Sequence, residues 1–329
     1  MPAVDATDEF GTLDRLFRPL AHPVWGRGLT DDVGVVPSRP GHDLVLTKDA
    51  IVEGVHFLPD DPFDLVARKL LRVNLSDLAA KGAEPFGYLL ACHWSSRCGW
   101  PAREAFAAGL AEDQAAFGLG LIGGDTVSTP GPASFSATLL GWAPRDGIVG
   151  RAGARPGDLV LVTGTIGDGG LGLQAAQGRL ELERELAETL AARYRLPEPR
   201  LVFGAALPGR AHASADVSDG LAADAGRIAA ASGVAIALDL GHLPLSAAAR
   251  AWVDSRADPD AALAFLATAG DDYEIVLTCA PAAEAELMRA AAALHLRLTT
   301  VGRVTDGEGV SVTRWGRHLP LERQGWRHG

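Results

Sequence analysis

Carboxylates recur in this chain where the backbone is expected to turn off a strand: Asp31–Asp32, Asp49, Asp125, Asp216 and Asp219, each near glycine, serine or threonine. One such aspartate is ordinarily a turn former or a helix cap, because its short side chain bonds nearby backbone N–H groups. A set of them suits a hard divalent cation such as Mg2+, which takes oxygen ligands and keeps waters. Asp77 sharpens the case: Val66, Leu70, Val73 and Asp77 lie at i, i+4, i+7 and i+11, one helical face that is apolar until it meets a carboxylate. An ionised carboxylate there needs a metal, a base or an opening to solvent. Asn74, one turn earlier, is placed to share the same ligand.

Gly123-Gly124-Asp125-Thr126 sets two glycines before an acid, which reads as a tight turn or as backbone laid close to a phosphate or metal. Ser218-Asp219-Gly220 opens a helix, so Asp219 alone could be an N-cap; with Asp216 it suits a metal–phosphate clamp at a helix N-terminus. Gly270-Asp271-Asp272-Tyr273-Glu274 precedes a strand and reads as an edge turn or as a carboxylate cluster facing a cationic ligand. Trp326 is a tail anchor or a lid over such a ligand, and His56 stands in a turn after a strand. Gly167, Gly169 and Gly172 satisfy the dinucleotide fingerprint after a strand. That reading, an NAD-binding oxidoreductase, then requires a second strand ending in an acid about 20 residues on, where Gln174–Arg195 instead stays helical in pattern. A Walker A loop and the protein-kinase signatures are absent.

The elements that must position these groups mix strand and helix in both halves. Strands are expected at Leu44–Ala50, Leu121–Ile122, Ser134–Trp142, Asp158–Thr163, Ser214–Val217, Val234–Leu240 and Tyr273–Cys279. Helices are expected at Pro62–Lys81, Pro101–Phe117, from Leu171, at Arg179–Tyr194, Gly220–Ala231, Leu263–Thr268 and Pro281–Leu294. The stretch Ala143–Pro156, rich in Pro, Gly and Arg, divides the chain into domains at 1–145 and 146–329, each α/β or α+β.

The chain has 329 residues, 47% hydrophobic and 22% charged, with a formal charge of −11. That charge offers no basic stripe to a nucleic-acid backbone, and it obliges any site for a polyanionic substrate to recruit cations. Three cysteines without CxxC spacing read as free thiols. Neither a signal-peptide pattern at Met1–Thr12 nor an apolar stretch of membrane-spanning length is found, so a cytoplasmic protein with no membrane partner is expected.

In their order, EGVHF at 53–57, VNLSDLAAKGAEP at 73–85, GGDT at 123–126, RAGARPGD at 151–158, DVSDGL at 216–221 and GDDYE at 270–274 resemble the thiamine-monophosphate kinase family. That family belongs to the superfamily of aminoimidazole-ribotide synthetase. The resemblance implies a two-domain fold, with N-terminal sheets of two subunits pairing into a barrel in a homodimer and a C-terminal α/β domain completing the nucleotide and substrate site. It implies several Mg2+ ions held by Asp32, Thr47, Asp49, Asp77, Asp125, Asp216 and Asp219, with Asp77 bridging. It implies ATP contacts at Gly124, Asp125, Arg151 and Ser218, and a thiamine-phosphate side at His56, Asp271 and Trp326. The implied reaction is direct in-line transfer from ATP to thiamine monophosphate, with no phosphoenzyme and no catalytic base, because the acceptor phosphate is already ionised near neutrality. Four departures from the family pattern stand at Thr30 for the second glycine of the early turn, Lys48 and Ala50 for threonine, and Asp271 for glutamate; Lys48 could offer a metal only its carbonyl. A ribotide cyclo-ligase shares the ATP and metal requirements, and a metal-binding regulatory protein would keep the acids without needing Arg151 and Trp326.

Overall fold

A computed structural model of the chain describes residues 9–321 and Gly325. It falls into two units, one formed by Met1–Leu78 with Glu84–Asp146, the other by Ala79–Ala83 with Gly147–Gly329.

In the first unit a short α1 (Glu9–Thr12) leads into a π-helical turn at Leu13–Phe17. The strand β1 (His42–Val52) and the helix α2 (Phe63–Lys81) follow, then β2 (Glu84–Ser95), α3 (Trp100–Phe117), β3 (Leu121–Thr129) and β4 (Ser134–Pro144). The sheet order is β1-β4-β2-β3, with β1–β4 and β4–β2 antiparallel and β2–β3 parallel. One face carries Ile51, Tyr88, Leu90, Trp94, Phe135, Ala137 and Leu139, all buried. Phe106 of α3 meets Phe135 at 4.4 Å and Trp94 at 5.4 Å between ring centroids, an aromatic centre that seats the helix on the sheet. The two helices approach closely where Gly109 lies against the carbonyl of Asp64, a place with no room for a Cβ. The fully buried Asp113 ties them together by accepting from Arg68 Nε at 3.0 Å and from Arg72 Nε at 2.7 Å. The opposite sheet face leaves Leu44, Leu46, Leu89 and Val127 exposed.

Two elements depart from the sequence expectation. β2 had no counterpart there, because Phe86–Cys92 is apolar, aromatic or glycine at every position, so the sequence shows no period of two although burial alternates from Tyr88 to Trp94. β3 does not stop at Ile122; it continues through Gly123–Thr129, paired residue by residue with β2, so the Gly-Gly-Asp-Thr segment is strand and not turn.

The second unit is a seven-stranded sheet of order β11-β10-β7-β9-β5-β8-β6. Its strands are β5 (Leu159–Thr163), β6 (Ala213–Asp216), β7 (Ala235–Asp239), β8 (Ile275–Cys279), β9 (Leu298–Thr305), β10 (Gly309–Arg314) and β11 (Arg317–His318). The helices are α4 (Asp168–Ala176), α5 (Arg184–Arg195), α6 (Leu201–Gly204), α7 (Leu221–Ser232), α8 (Ala247–Asp254), α9 (Pro259–Thr268) and α10 (Pro281–Ala293). α8, β9 and β10 were not anticipated, and the helix expected from Arg179 begins only at Arg184, after Gly178 takes φ 66°. β5 is buried throughout, and both its neighbours, β8 and β9, run antiparallel to it. A dinucleotide unit needs a parallel strand beside the first one, so the three glycines do not belong to a Rossmann motif. Among the described residues no helix is long and apolar enough to cross a membrane.

The ion pair between the helices of the first unit supplies a test of its packing. Asp113→Ala removes the buried carboxylate that Arg68 and Arg72 share, both largely removed from solvent, and should destabilise by about 3–5 kcal/mol, read as a lowered denaturant midpoint. A loss below about 1 kcal/mol would show that the pair does not hold α2 to α3.

Candidate active site

β1 and α2 bring the first acids together. Thr47 Oγ1 donates to Asp77 Oδ2 at 2.5 Å, and Asn74 Oδ1 accepts the Asp49 N–H at 2.9 Å. Asn74 is itself held by its Nδ2 donating to Leu70 O at 2.9 Å. Asp77 is half-buried at the end of a face whose earlier members, Val66, Leu70 and Val73, are 3% exposed or less, so its carboxylate sits where apolar packing gives way to an opening. Lys48 stands on the other face of β1, where its Nζ donates to Ser136 Oγ at 3.2 Å. The departure at that position therefore adds no cation beside Thr47 and Asp49.

A cavity of about 670 Å³ in the same unit is lined by Asp31, Asp32, Gly124 and Asp125 together with apolar residues that include Phe17 and Ile122. The two aspartates of the early turn divide their work. Asp31 accepts from Arg27 Nε at 2.9 Å and caps the Asp32 N–H at 2.9 Å, whereas the Asp32 carboxylate has no hydrogen bond or ion pair among the described residues. Thr30 occupies φ −109°, a conformation open to any residue, and its hydroxyl donates to Arg27 O at 2.9 Å; the glycine is needed at Gly28, with φ 66°. Among the described residues Asp125 accepts only its neighbour Thr126 N–H, at 2.8 Å. Gly124 lies so close to the Leu90 carbonyl that a Cβ would overlap it, so glycine is required by strand packing as well as by any ligand.

His56 is held through backbone and ring: its N–H donates to Val52 O at 2.8 Å, its Nδ1 accepts the Val52 N–H at 3.1 Å, and its carbonyl accepts from the buried Lys69 Nζ at 2.9 Å. The Nδ1 bond leaves Nε2 as the protonated ring nitrogen of the neutral imidazole.

In the second unit the segments 216–220 and 270–274 are laced together. Val217 N donates to Glu274 O at 2.7 Å, Tyr273 N to Val217 O at 2.8 Å and Asp271 N to Ser218 O at 2.9 Å. The approach demands glycine at Gly270, whose Cβ would lie 2.5 Å from Ser218 O, and at Gly220, with φ 115°. Asp271 and Tyr273 take φ 68° and 51°, and Tyr273 Oη donates to Asp271 Oδ1 at 3.1 Å. Left-handed backbone at two non-glycine residues is strain that the surrounding bonds must sustain.

The reading of Asp271, Asp272 and Glu274 as one ligand-facing cluster is corrected here. Asp272 is fully buried and accepts the N–H groups of Gly167 at 2.7 Å and Gly169 at 2.9 Å, so the glycine-rich turn serves this carboxylate. Burial pushes Asp272 well above the usual carboxylate range, against the pull of those two donors. Glu274, equally buried, is claimed by Arg193 at 2.6 Å, Arg200 at 2.5 Å and Thr163 Oγ1 at 2.7 Å. Both acids hold the fold, whereas Asp271 is half-buried and accepts from Tyr273 Oη.

The helix N-terminus at Gly220 is also not an open phosphate clamp. Asp224 Oδ2 accepts the N–H groups of both Ser218 and Asp219, each at 3.0 Å, and Arg227 bridges the Asp224 and Asp219 carboxylates. Burial raises Asp224 to about 6, opposed by Arg227. Sequence reasoning passed over Asp224 and Arg227, although Asp224 gives the same signal as Asp77, an acid among the buried Leu221, Ala225 and Ile228 of α7. Asp216 is 5% exposed at the end of β6, and Arg151 is exposed. Trp326 lies outside the described residues.

Of the seven expected metal ligands, Asp32 and Asp125 line one cavity, Thr47 meets Asp77 with Asp49 beside Asn74, and Asp216 and Asp219 belong to the second unit. Among the described residues no three His, Cys, Asp or Glu side chains converge as a ready-made metal cage. An all-oxygen donor set presented in ones and twos fits Mg2+, which is usually held by one or two carboxylates and completed by waters and phosphate oxygens.

Gly124→Ala should cost about 1–3 kcal/mol in stability, because backbone and not a flexible side chain stands in the way of the new methyl. An unchanged melting temperature in a calorimetric scan would contradict the close approach of β2 and β3.

The family profile for the N-terminal domain of AIR synthase-related proteins matches residues 30–143, and that for their C-terminal domain matches residues 155–314. A thiamine-monophosphate kinase of Caulobacter vibrioides is 50% identical over 330 residues, covering 100% of this chain and 93% of that one. The crystal structure of a thiamine-monophosphate kinase from Stenotrophomonas maltophilia K279a matches with TM-score 0.83 at 37% identity, over 95% of this chain and 98% of that one. A structure of AaThiL complexed with AMPPCP and TMP matches with TM-score 0.77 at 30% identity, over 100% and 99% of the two chains. The chain thus belongs to the thiamine-monophosphate kinase family of AIR synthase-related proteins.

Proposed function

We propose that this chain is a thiamine-monophosphate kinase, which transfers the γ-phosphoryl group of ATP directly to the phosphate of thiamine monophosphate and releases thiamine diphosphate and ADP. The observation that carries the reading is full-length similarity to a relative complexed with an ATP analogue and TMP, joined to the carboxylates of Asp32, Asp77 and Asp125, which pair with no cation among the described residues.

Asp32 and Asp125 on the cavity wall, Thr47, Asp49 and Asp77 between β1 and α2, and Asp216 and Asp219 in the second unit are the assigned Mg2+ ligands. Mg2+ bound there supplies neutralisation of the nucleotide phosphates and of the acceptor phosphate. The protein's own part is placement. Thr47 orients the Asp77 carboxylate, Asn74 fixes β1 at Asp49, and Asp31 is kept on Arg27 so that Asp32 stays available. Gly124 keeps β3 bare beside Asp125, and Arg151 and Ser218 are assigned to the nucleotide. No side chain need act as a base, since the acceptor oxygen is ionised near neutrality; rate comes from alignment and charge neutralisation.

His56, Asp271 and Trp326 are assigned to the vitamin. A thiazolium is a fixed cation, suited to a carboxylate and an indole face. Residues 1–145 would serve metal, nucleotide and dimerisation, and 146–329 would complete nucleotide and substrate binding. The exposed Leu44, Leu46, Leu89 and Val127 on one sheet face support a homodimer, and the biosynthetic role fits the cytoplasm.

Purified protein incubated with ATP, Mg2+ and thiamine monophosphate should yield ADP and thiamine diphosphate in equal amounts, and formation of ADP without thiamine diphosphate would contradict the reading. Asp77→Asn, which keeps shape and removes charge, should lower kcat more than tenfold at saturating Mg2+. A variant that retains more than a tenth of the rate has lost less than about 1.4 kcal/mol, too little for a ligand shared between metals.

A further inference from the structure

We propose that Asp224 is a positioning residue for cation binding: by accepting the N–H groups of Ser218 and Asp219 on one carboxylate oxygen, it builds the turn that presents Asp219 before any cation arrives. The inference rests on the reading of Asp219 as a Mg2+ ligand and adds a residue to it.

Three observations carry it. Asp224 is fully buried on α7, so its carboxylate is an internal acceptor and not a surface charge. Both of its donors belong to the Ser218–Asp219 turn, each at 3.0 Å, and they converge on Oδ2 while Oδ1 is occupied by Arg227. Arg227 also reaches Asp219 Oδ2, so the same group that anchors the turn fixes the rotamer of its carboxylate through one guanidinium. The turn is then pinned from the other side, where Ser218 O accepts the Asp271 N–H at 2.9 Å against the bare Cα of Gly270. Two groups assigned to different substrates, Ser218 and Asp271, are therefore placed by one hydrogen-bonded unit that Asp224 closes.

The chemistry explains why an acid is needed at that position. Two backbone N–H groups entering a helix and a guanidinium all require an acceptor, and one carboxylate satisfies the three at once. An amide of the same volume offers a single acceptor oxygen and would present N–H groups to Arg227, so Asp224→Asn cannot keep the whole set.

The test uses Mn2+ titrated into the full-length protein with a non-hydrolysable ATP analogue, followed by electron paramagnetic resonance, with melting temperatures alongside. Asp224→Asn should weaken Mn2+ binding by about ten- to a hundredfold, the usual effect of removing a group that orients a metal ligand, while the protein still melts cooperatively. Undiminished Mn2+ affinity in Asp224→Asn, with weakened affinity in Asp219→Asn, would overturn the positioning role and leave Asp219 as a ligand. Undiminished affinity in Asp219→Asn would instead remove the assignment of Asp219, and the proposal with it. Hydrogen exchange on the wild-type chain serves even where the variant fails to fold. The Ser218 and Asp219 amides should be protected without Mn2+, and protection that appears only on adding it would show that the cation, not Asp224, makes the turn.

Discussion

Uncompensated negative charge is the constraint on which this structure depends. In a chain of formal charge −11, acids that serve the fold are satisfied within it: Asp113 by Arg68 and Arg72, Glu274 by Arg193 and Arg200, Asp31 by Arg27, and Asp272 by two backbone N–H groups. Asp32, Asp77 and Asp125 take part in no ion pair among the described residues. Charges left in this state repel one another and repel a nucleotide, and they remain tolerable because each stands exposed or half-buried, open to water or to a cation. Of the 30 basic residues 27 are arginine, and Arg27, Arg68, Arg72, Arg193 and Arg200 pair with acids of the frame and not with these positions.

Holding such charges in place requires rigid backbone, and glycine repeatedly supplies it by permitting close approach. Gly124 lets β3 lie against Leu90, Gly109 lets α3 lie against α2, and Gly270 lets the 270–274 segment lie against Ser218. The strained Asp271 and Tyr273 persist because the strands β6 and β8 and three backbone bonds fix both ends of their segment. Removing the glycines would relax neither the charge nor the strain; it would displace the groups that carry function.

Much of this was legible in the residues. Period-2 and helical patterns located β1, α2, α3, β5 and α7, and an acid ending an apolar helical face pointed to Asp77 before any coordinates. What escaped detection had physical reasons. β2 reads as an unbroken apolar run over Phe86–Cys92, which hides the alternation of its burial, and β9 interrupts its pattern with Gly302, which is required because a Cβ would meet the Ala237 carbonyl. The glycines of Gly164–Gly172 imitated a dinucleotide motif because their N–H groups do bind an anion, the Asp272 carboxylate more than a hundred residues away. Asp272 and Glu274 looked like ligands because a motif of acids does not reveal which of them face inward. The departures at Thr30 and Lys48 became harmless only once φ and strand facing were known.

The central claim is that these carboxylates accept a nucleotide only when cations neutralise them. Calorimetric titration of a non-hydrolysable ATP analogue into the full-length protein, repeated from excess EDTA through rising free Mg2+, tests it most directly. Affinity should be lost or nearly lost in EDTA and should rise steeply with Mg2+, because protein and ligand are both polyanions. Undiminished affinity in EDTA would contradict the account.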